Sequence, residues 1–297
     1  MMASARFTRA GANGRLTLAV PAKGRMSEPA LRLCADAGLS FEATDRALLV
    51  PCANAPVDLL LVRPSDIPEY VQDGVVHLGI TGANLAVEAE VEVLTLAELG
   101  FARCTLQAAV PDDSPHEDLA SLAGLRVATA YPVTTRACLA RLGISAELVP
   151  ISGSVEAAPR LGLSDAIVDL VSTGSTASAN GLRLIGTLLE SQAVLVGSEA
   201  AVTEQRELVE RFRLMISGVV AARRRRYLMM NAPASALPEL ERLLPSMGAP
   251  SVLNLAEEGQ IAIHAAVEAD ELWNLLAPLK AAGASSILVL PVERLVP

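Results

Sequence analysis

The chain has 297 residues, 52% of them hydrophobic, with a net charge of −9 and a pI near 5.0. That length suits two or three domains around a large core, and the acidic balance argues against general nucleic-acid binding. Apolar runs are short, well below the roughly 18 uninterrupted residues of a membrane span. The opening stretch MMASARFTRAGANGR carries arginines but no apolar h-region, so residues 1–15 read as a mobile tail and the protein as cytoplasmic.

Cys34, Cys52, Cys104 and Cys138 are scattered without a CxxC pair, and His77, His116 and His264 are equally dispersed. A structural zinc site is therefore not expected, and the cysteines read as small buried hydrophobes in a reducing compartment. His77, inside VVHLGIT, reads as a satisfied strand residue rather than a catalyst. Only two of the 24 basic residues are lysines, so Lys23 is more informative than any single arginine.

In chain order, strands and helices alternate. Leu16–Val20 predicts a strand, followed by the loop PAKGRM, with Ser27 as N-cap of a helix closed by Gly38. Leu48–Val50 and Asp58–Arg63 predict strands, Pro64–Asp73 a short helix, and His77–Thr81 a strand leading into Gly82-Ala83-Asn84. From about Asp112 a second unit begins: strand LRVATA, helix YPVTTRACLARLG, strand AELVPI and helix SVEAAPRLG. After AIVDLV come strands LRLIGTLLE and AVLVGS, which lead back towards the first unit, and then one long helix, TEQRELVERFRLMISGVVAA. Two α/β lobes with a crevice between them fit this order, because ligands bind at the carboxyl ends of strands in such sheets. Beyond Arg223–Arg226 the pattern changes to strand, helix, strand, strand, helix, strand. That βαββαβ order predicts a ferredoxin-like third unit over 224–297.

The stretch most suggestive of chemistry is AIVDLVSTGSTASAN, residues 166–180. A buried strand runs into a turn rich in hydroxyls and glycine, then a short helix. Backbone N–H groups at a helix start favour an anion. Thr173, Ser175 and Thr176 add donors, and Gly174 permits close approach. Asp169 can accept hydrogen bonds from ribose hydroxyls or help hold a metal ion. Two readings stand: a sugar-phosphate cradle, or an ordinary strand–turn–helix with a Ser/Thr N-cap. Lys23 and Arg25 likewise read either as ligand groups or as a solvated loop, and Arg63 as a strand-end ligand group or a surface ion-pair partner.

Taken together, PAKGRMSE, DLLLVRPSDIPEYVQDGVVHLGITGANL, LRVATAYP, SGSVEAAPRLGLSDAIVDLVSTGSTASANGL, YLMMNAP and LKAAGASSILVLPVE resemble the long form of the ATP phosphoribosyltransferase family. The resemblance runs over residues 15 to 297. It implies an α/β fold of two periplasmic-binding-protein-like lobes: lobe I over 16–110, with return strands and helix at about 192–222, and lobe II over 111–191. A ferredoxin-like, ACT-related regulatory domain follows. The implied reaction moves the phosphoribosyl group of phosphoribosyl pyrophosphate to N1 of ATP with Mg²⁺, as the first step of histidine biosynthesis, inhibited by histidine.

By position, the resemblance implies that Asp169 binds the ribose hydroxyls and that Ser172, Thr173, Gly174, Ser175 and Thr176 hold the 5-phosphate. Lys23, Gly24, Arg25, Arg63, Thr81, Gly82 and Asn84 would contact ATP or pyrophosphate, with Tyr131 and Glu156 as further active-site candidates. Asn231, Ala282 and Ser285 would contact the inhibitor. The metal ligands are not readable, Mg²⁺ being held mainly by substrate phosphates. A homo-oligomer, dimer and hexamer, is also implied, with neither nucleic acid nor membrane as partner. Rival readings are a solute-binding protein, a phosphoribosyltransferase acting on another base, and a non-catalytic regulatory subunit.

Overall fold

A computed structural model describes residues 14–42, 47–171, 175–244 and 249–296. The chain forms two compact units whose boundary falls between Glu210 and Arg211, residues 36–38 being assigned to the second. The first unit contains two sheets, and the second contains one.

The first sheet is built from β1 (Leu16–Pro21), β2 (Leu49–Pro51), β3 (Val57–Val62), β4 (Leu78–Gly82) and β5 (Leu94–Glu98). Interleaved with them are α1 (Ser27–Asp36), α2 (Ile67–Gln72) and α3 (Ala83–Glu88). β1 pairs in parallel with both β3 and β4. Central strands buried on both faces read as continuous apolar runs, and in LTLAVP only Thr17 is not buried. Leu60, Ile67 and Val71 pack together in this lobe, and burying such a side chain contributes roughly 1.5–3 kcal/mol. His77 accepts the Thr17 N–H on Nδ1 at 2.9 Å and donates its own N–H to the Thr17 carbonyl at 3.0 Å. Burial lowers its pKa, and the structure thus has it as a satisfied, buried residue beside the sheet.

The second sheet comprises β6 (Cys104–Pro111), β7 (Arg126–Thr129), β8 (Glu147–Pro150), β9 (Ala166–Val171) and β10 (Leu182–Ser191), with α4 (Pro132–Arg141) and α5 (Ser175–Ala179). Its order is β10-β6-β9-β7-β8. β9 is central: Ala166 and Val168 pack in one apolar cluster and Ile167 in another. The strand Cys104–Pro111, assigned from sequence to the first lobe, pairs instead with β9 and β10. Expected as a helix, SVEAAPRLG has only a 3₁₀ turn at Val155–Ala157. Ser154 is left-handed at φ 48°, and Pro159 has no N–H to continue a helical ladder.

β11 (Ala193–Gly197) returns to the first sheet between β4 and β5. The lobes are therefore joined by two crossovers, Leu99–Arg103 and the single residue Gln192. The first crossover is hydrogen-bonded to Ala193, the start of β11 directly after Gln192: Leu99 N–H to the Ala193 carbonyl and Ala193 N–H to the Phe101 carbonyl, both at 2.9 Å. The long helix expected over 203–222 stands as α7 (Arg206–Arg223), and a short helix not expected from sequence, α6 (Glu199–Glu204), capped by Ser198 Oγ, precedes it across non-helical Gln205. Among the described residues no helix is long and apolar enough to cross a membrane.

The second unit contains β12 (Arg225–Pro233), α8 (Leu237–Leu243), β13 (Ser251–Asn254), β14 (Gln260–Glu268), α9 (Leu272–Ala281) and β15 (Ser285–Pro291). Its strand order β13-β14-β12-β15, antiparallel throughout, is the ferredoxin-like arrangement expected. β14 alternates buried and half-buried positions along QIAIHAAVE. One face, with Ile261, Ile263 and Val267, packs against Leu240, Leu275 and Leu279 of the two helices.

Candidate active site

The carboxyl ends of β1, β3 and β4 in one lobe, and of β7 and β9 in the other, lead into the loops that carry the candidate residues. A cavity of about 220 Å³ lies there. Lys23, Gly24, Arg25, Gly82 and Asn84 line it from the first lobe, Tyr131 and Leu170 from the second, Ala102 from the first crossover, and Ser191 from directly before the second. A larger cavity of about 640 Å³, lined by Glu98, Arg103, Thr105 and Gln192 among others, shares Cys104 and Ser191 with it.

Gly24 sits at φ +81°, a conformation that glycine adopts without a Cβ penalty, and it bends the loop that presents Lys23 and Arg25, both exposed. Gly82 has a different reason: an added Cβ would stand 2.7 Å from Asn84 Oδ1 and push the carboxamide aside. Thr81 is completely buried, and its hydroxyl donates to the Pro64 carbonyl at 2.8 Å. The expectation that Thr81 contacts ligand is therefore corrected for its side chain, which braces the loop after β3. Arg63 is exposed, directly after β3 and before Pro64, which itself lines the crevice.

Asn84 is 4% exposed, and its geometry is decided by a residue that sequence reading missed. Ser191 Oγ accepts the Asn84 backbone N–H at 3.1 Å and donates to Asn84 Oδ1 at 2.8 Å. With Oδ1 taken, the Asn84 Nδ2 group is left buried without a partner. An unpaired buried donor costs about 1–3 kcal/mol, which an acceptor on a ligand would recover. Ser191 ends a strand, and no local pattern marks it. Gln192 shows a related state, with Nε2 donating to Glu98 Oε2 at 2.6 Å and Oε1 buried without a partner.

On the facing wall, Asp169 is half-buried and accepts the Leu170 N–H at 2.7 Å. Burial raises its pKa, the Leu170 hydrogen bond opposes that, and nearby Glu156 adds to it. Tyr131 is also raised, by burial first and then by the Asp169 charge, with Arg25 acting the other way. Arg25, Tyr131, Asp169 and Glu156 thus form one electrostatic group drawn from four separate segments and both lobes. Thr176 is exposed on α5. Ser172, Thr173, Gly174 and the Ser175 side chain, the core of the expected phosphate cradle, lie outside the described residues.

Comparison with known proteins decides the family. The ATP phosphoribosyltransferase (HisG) family model matches residues 63–218, and the HisG C-terminal domain model matches residues 222–294. An ATP phosphoribosyltransferase of Bacteroides thetaiotaomicron is 38% identical over 281 residues, covering 95% of this chain and 99% of that protein. One from Cytophaga hutchinsonii is 39% identical over 281 residues, covering 95% and 98%. This chain belongs to the ATP phosphoribosyltransferase family. As such it is a transferase of histidine biosynthesis. A chain of the solved "ATP phosphoribosyl transferase (HisG:HisZ) complex from Thermotoga maritima" is 27% identical to it at a TM-score of 0.58, covering 68% of this chain and 98% of that one.

For the nucleotide role proposed for Asn84 below, the Ser191–Asn84 pair gives a direct expectation. Ser191→Ala frees the carboxamide to turn over, and nucleotide affinity by calorimetry should fall about three- to tenfold, the scale of one hydrogen bond. Ser191→Thr, which keeps the hydroxyl, should stay near the parent value.

Proposed function

We propose that the protein transfers the phosphoribosyl group of phosphoribosyl pyrophosphate to N1 of ATP, releasing pyrophosphate. This is the first step of histidine biosynthesis, and we assign it to the cytoplasm with feedback inhibition by histidine. The observation that carries the reading is the crevice: Lys23 and Arg25 reach it from one lobe, and Tyr131 and the Asp169 strand end from the other. Breaking the bond from C1 to pyrophosphate builds positive charge on the ribose and negative charge on the leaving group. Lys23 and Arg25 suit the pyrophosphate, and Asp169 suits the ribose hydroxyls, whose donors would relieve a carboxylate that burial disfavours. Adenine N1 is itself nucleophilic, so the work left to the chain is alignment and charge stabilisation.

Residues 172–176 are assigned to the 5-phosphate, and Gly82, Asn84 and Arg63 to the nucleotide side. Among the described residues no three His, Cys, Asp or Glu side chains gather into a metal cage. Asp169 and Glu156 are the carboxylates that sense one another there, a donor set suited to Mg²⁺ carried mainly on substrate phosphates. Bound Mg²⁺ would neutralise charge on the departing pyrophosphate.

For the inhibitor we propose the second unit. Ser285 Oγ donates to the Asn231 carbonyl at 3.2 Å, and Ala282, three residues earlier, is the C-cap of α9. We also propose a homo-oligomer, dimer and hexamer, with lobe I holding the first sheet, lobe II the second, and residues 224–297 the regulatory part.

The test is turnover with ATP, phosphoribosyl pyrophosphate and Mg²⁺, with and without histidine. Product that histidine suppresses supports the whole reading. A folded protein that binds phosphoribosyl pyrophosphate but makes no product overturns it. The double variant Asn231→Ala, Ser285→Ala should lose histidine sensitivity while turnover is kept. Full inhibition of that variant removes these residues from the effector site.

A further inference from the structure

We propose that Glu88 is a latch between the lobes that positions Tyr131 against Asn84 across the crevice. Resting on the reading that substrates bind between the lobes, it adds a residue to which sequence reading gave no role. Glu88 is the last residue of α3, in the first lobe. Its carboxylate accepts three hydrogen bonds from the opposite lobe: Val133 N–H at 3.1 Å, Thr134 N–H at 2.9 Å and Thr134 Oγ1 at 2.8 Å. Thr134 is 1% exposed, and its hydroxyl also lies 3.5 Å from the Asn84 carbonyl.

These N–H groups are the first free donors of α4. The helix begins at Pro132, which has none, and Tyr131 at the N-cap position makes no side-chain cap. An N-cap normally comes from the residue before the helix. Here a charged cap arrives from 45 residues away in sequence, where the helix dipole favours it further. Two consequences follow. First, the end of α4 that would otherwise attract a phosphate is filled by the chain's own carboxylate, so a substrate anion is left to Lys23, Arg25 and the β9–α5 loop. Second, α3 starts at the turn carrying Asn84 and α4 starts directly after Tyr131, so the latch sets the width of the crevice between those two groups. The covalent links between lobes are at the crossovers, leaving this width to non-covalent contacts.

Removing the latch should depopulate the closed arrangement, and apparent affinity falls by the fraction that remains competent. Nitroxide labels on Leu48→Cys and Leu142→Cys, exposed positions in different lobes, would read the interlobe distance. The four native cysteines are buried. In Glu88→Ala without substrate, the distance distribution should lengthen and broaden, then return towards the parent when both substrates are added. KM for both substrates should rise together by about tenfold, with kcat at saturation within about twofold. Glu88→Gln, which keeps an acceptor but not the charge, should fall between, and it decides the matter if the alanine variant does not fold.

An unchanged distance distribution with unchanged KM values overturns the latch, as does a fall in kcat with KM unaltered. The distance is read without turnover. Lobes that open in Glu88→Ala of a protein making no product would therefore sink the reaction and leave the latch standing.

Discussion

Asp169→Ala is expected to lower kcat by about 10²–10³-fold, the scale of losing one group aimed at developing charge. The same site should be more stable without its charge. Burial raises the Asp169 pKa above its usual 3.8, so in the window above that value the folded state binds more protons than the unfolded one. Stability contributed at this site therefore falls as pH rises through the window and stays lower at neutral pH. Asp169→Asn keeps an oxygen for the Leu170 N–H and removes the charge. Its melting temperature at neutral pH should exceed the parent's although activity is lost, and the difference should vanish at acid pH, where both side chains are neutral. Scanning calorimetry beside the turnover assay checks both halves. A variant that is inactive and less stable at every pH would make Asp169 a structural residue.

Lys23→Ala should raise KM for the anionic substrates about 10- to 100-fold. A hydrogen bond to a charged group contributes roughly 1.5–3 kcal/mol, and each 1.4 kcal/mol is tenfold. The chain's net charge of −9 makes the local cation matter more, since it must hold an anion against the global field. Lys23→Arg keeps the charge and should recover part of the loss. Raising the salt concentration should narrow the gap between parent and Lys23→Ala, because screening weakens an exposed charge. Equal KM values for parent and Lys23→Ala would remove Lys23 from the site.

Much of the framework was legible because the signals are local. β9 stands where AIVDLV reads as a buried strand, since its opening apolar residues Ala166, Ile167 and Val168 are the ones a strand inside a sheet must bury. The ferredoxin-like unit was legible from element order alone, because few sheet topologies satisfy short connections. Lys23 and Asn84, singled out in strand-end loops where α/β sheets place ligands, line the crevice cavity. The failures are equally instructive. SVEAAPRLG has the composition of a helix but lacks the backbone to form one, with a left-handed Ser154 and a proline. Assigning β6 to the first lobe failed because a strand's residues do not say which sheet it joins. That depends on partners distant in sequence, here β9 and β10.

The sequence by itself carried the resemblance to the family through motifs in order, and it determined the alternation of strands and helices, the plan of two lobes and a third unit, and the loops that carry charge, since these last rest on residue type and short-range periodicity. Only the tertiary structure decided which atoms are committed. Thr81 looked like a ligand group until its hydroxyl was found on Pro64. Asn84 became a directed donor only through Ser191, 107 residues away. Glu88 gained a role only through the bare end of a helix in the other lobe. Hydrogen-bond satisfaction is a property of pairs brought together by folding, and a one-dimensional pattern does not record it.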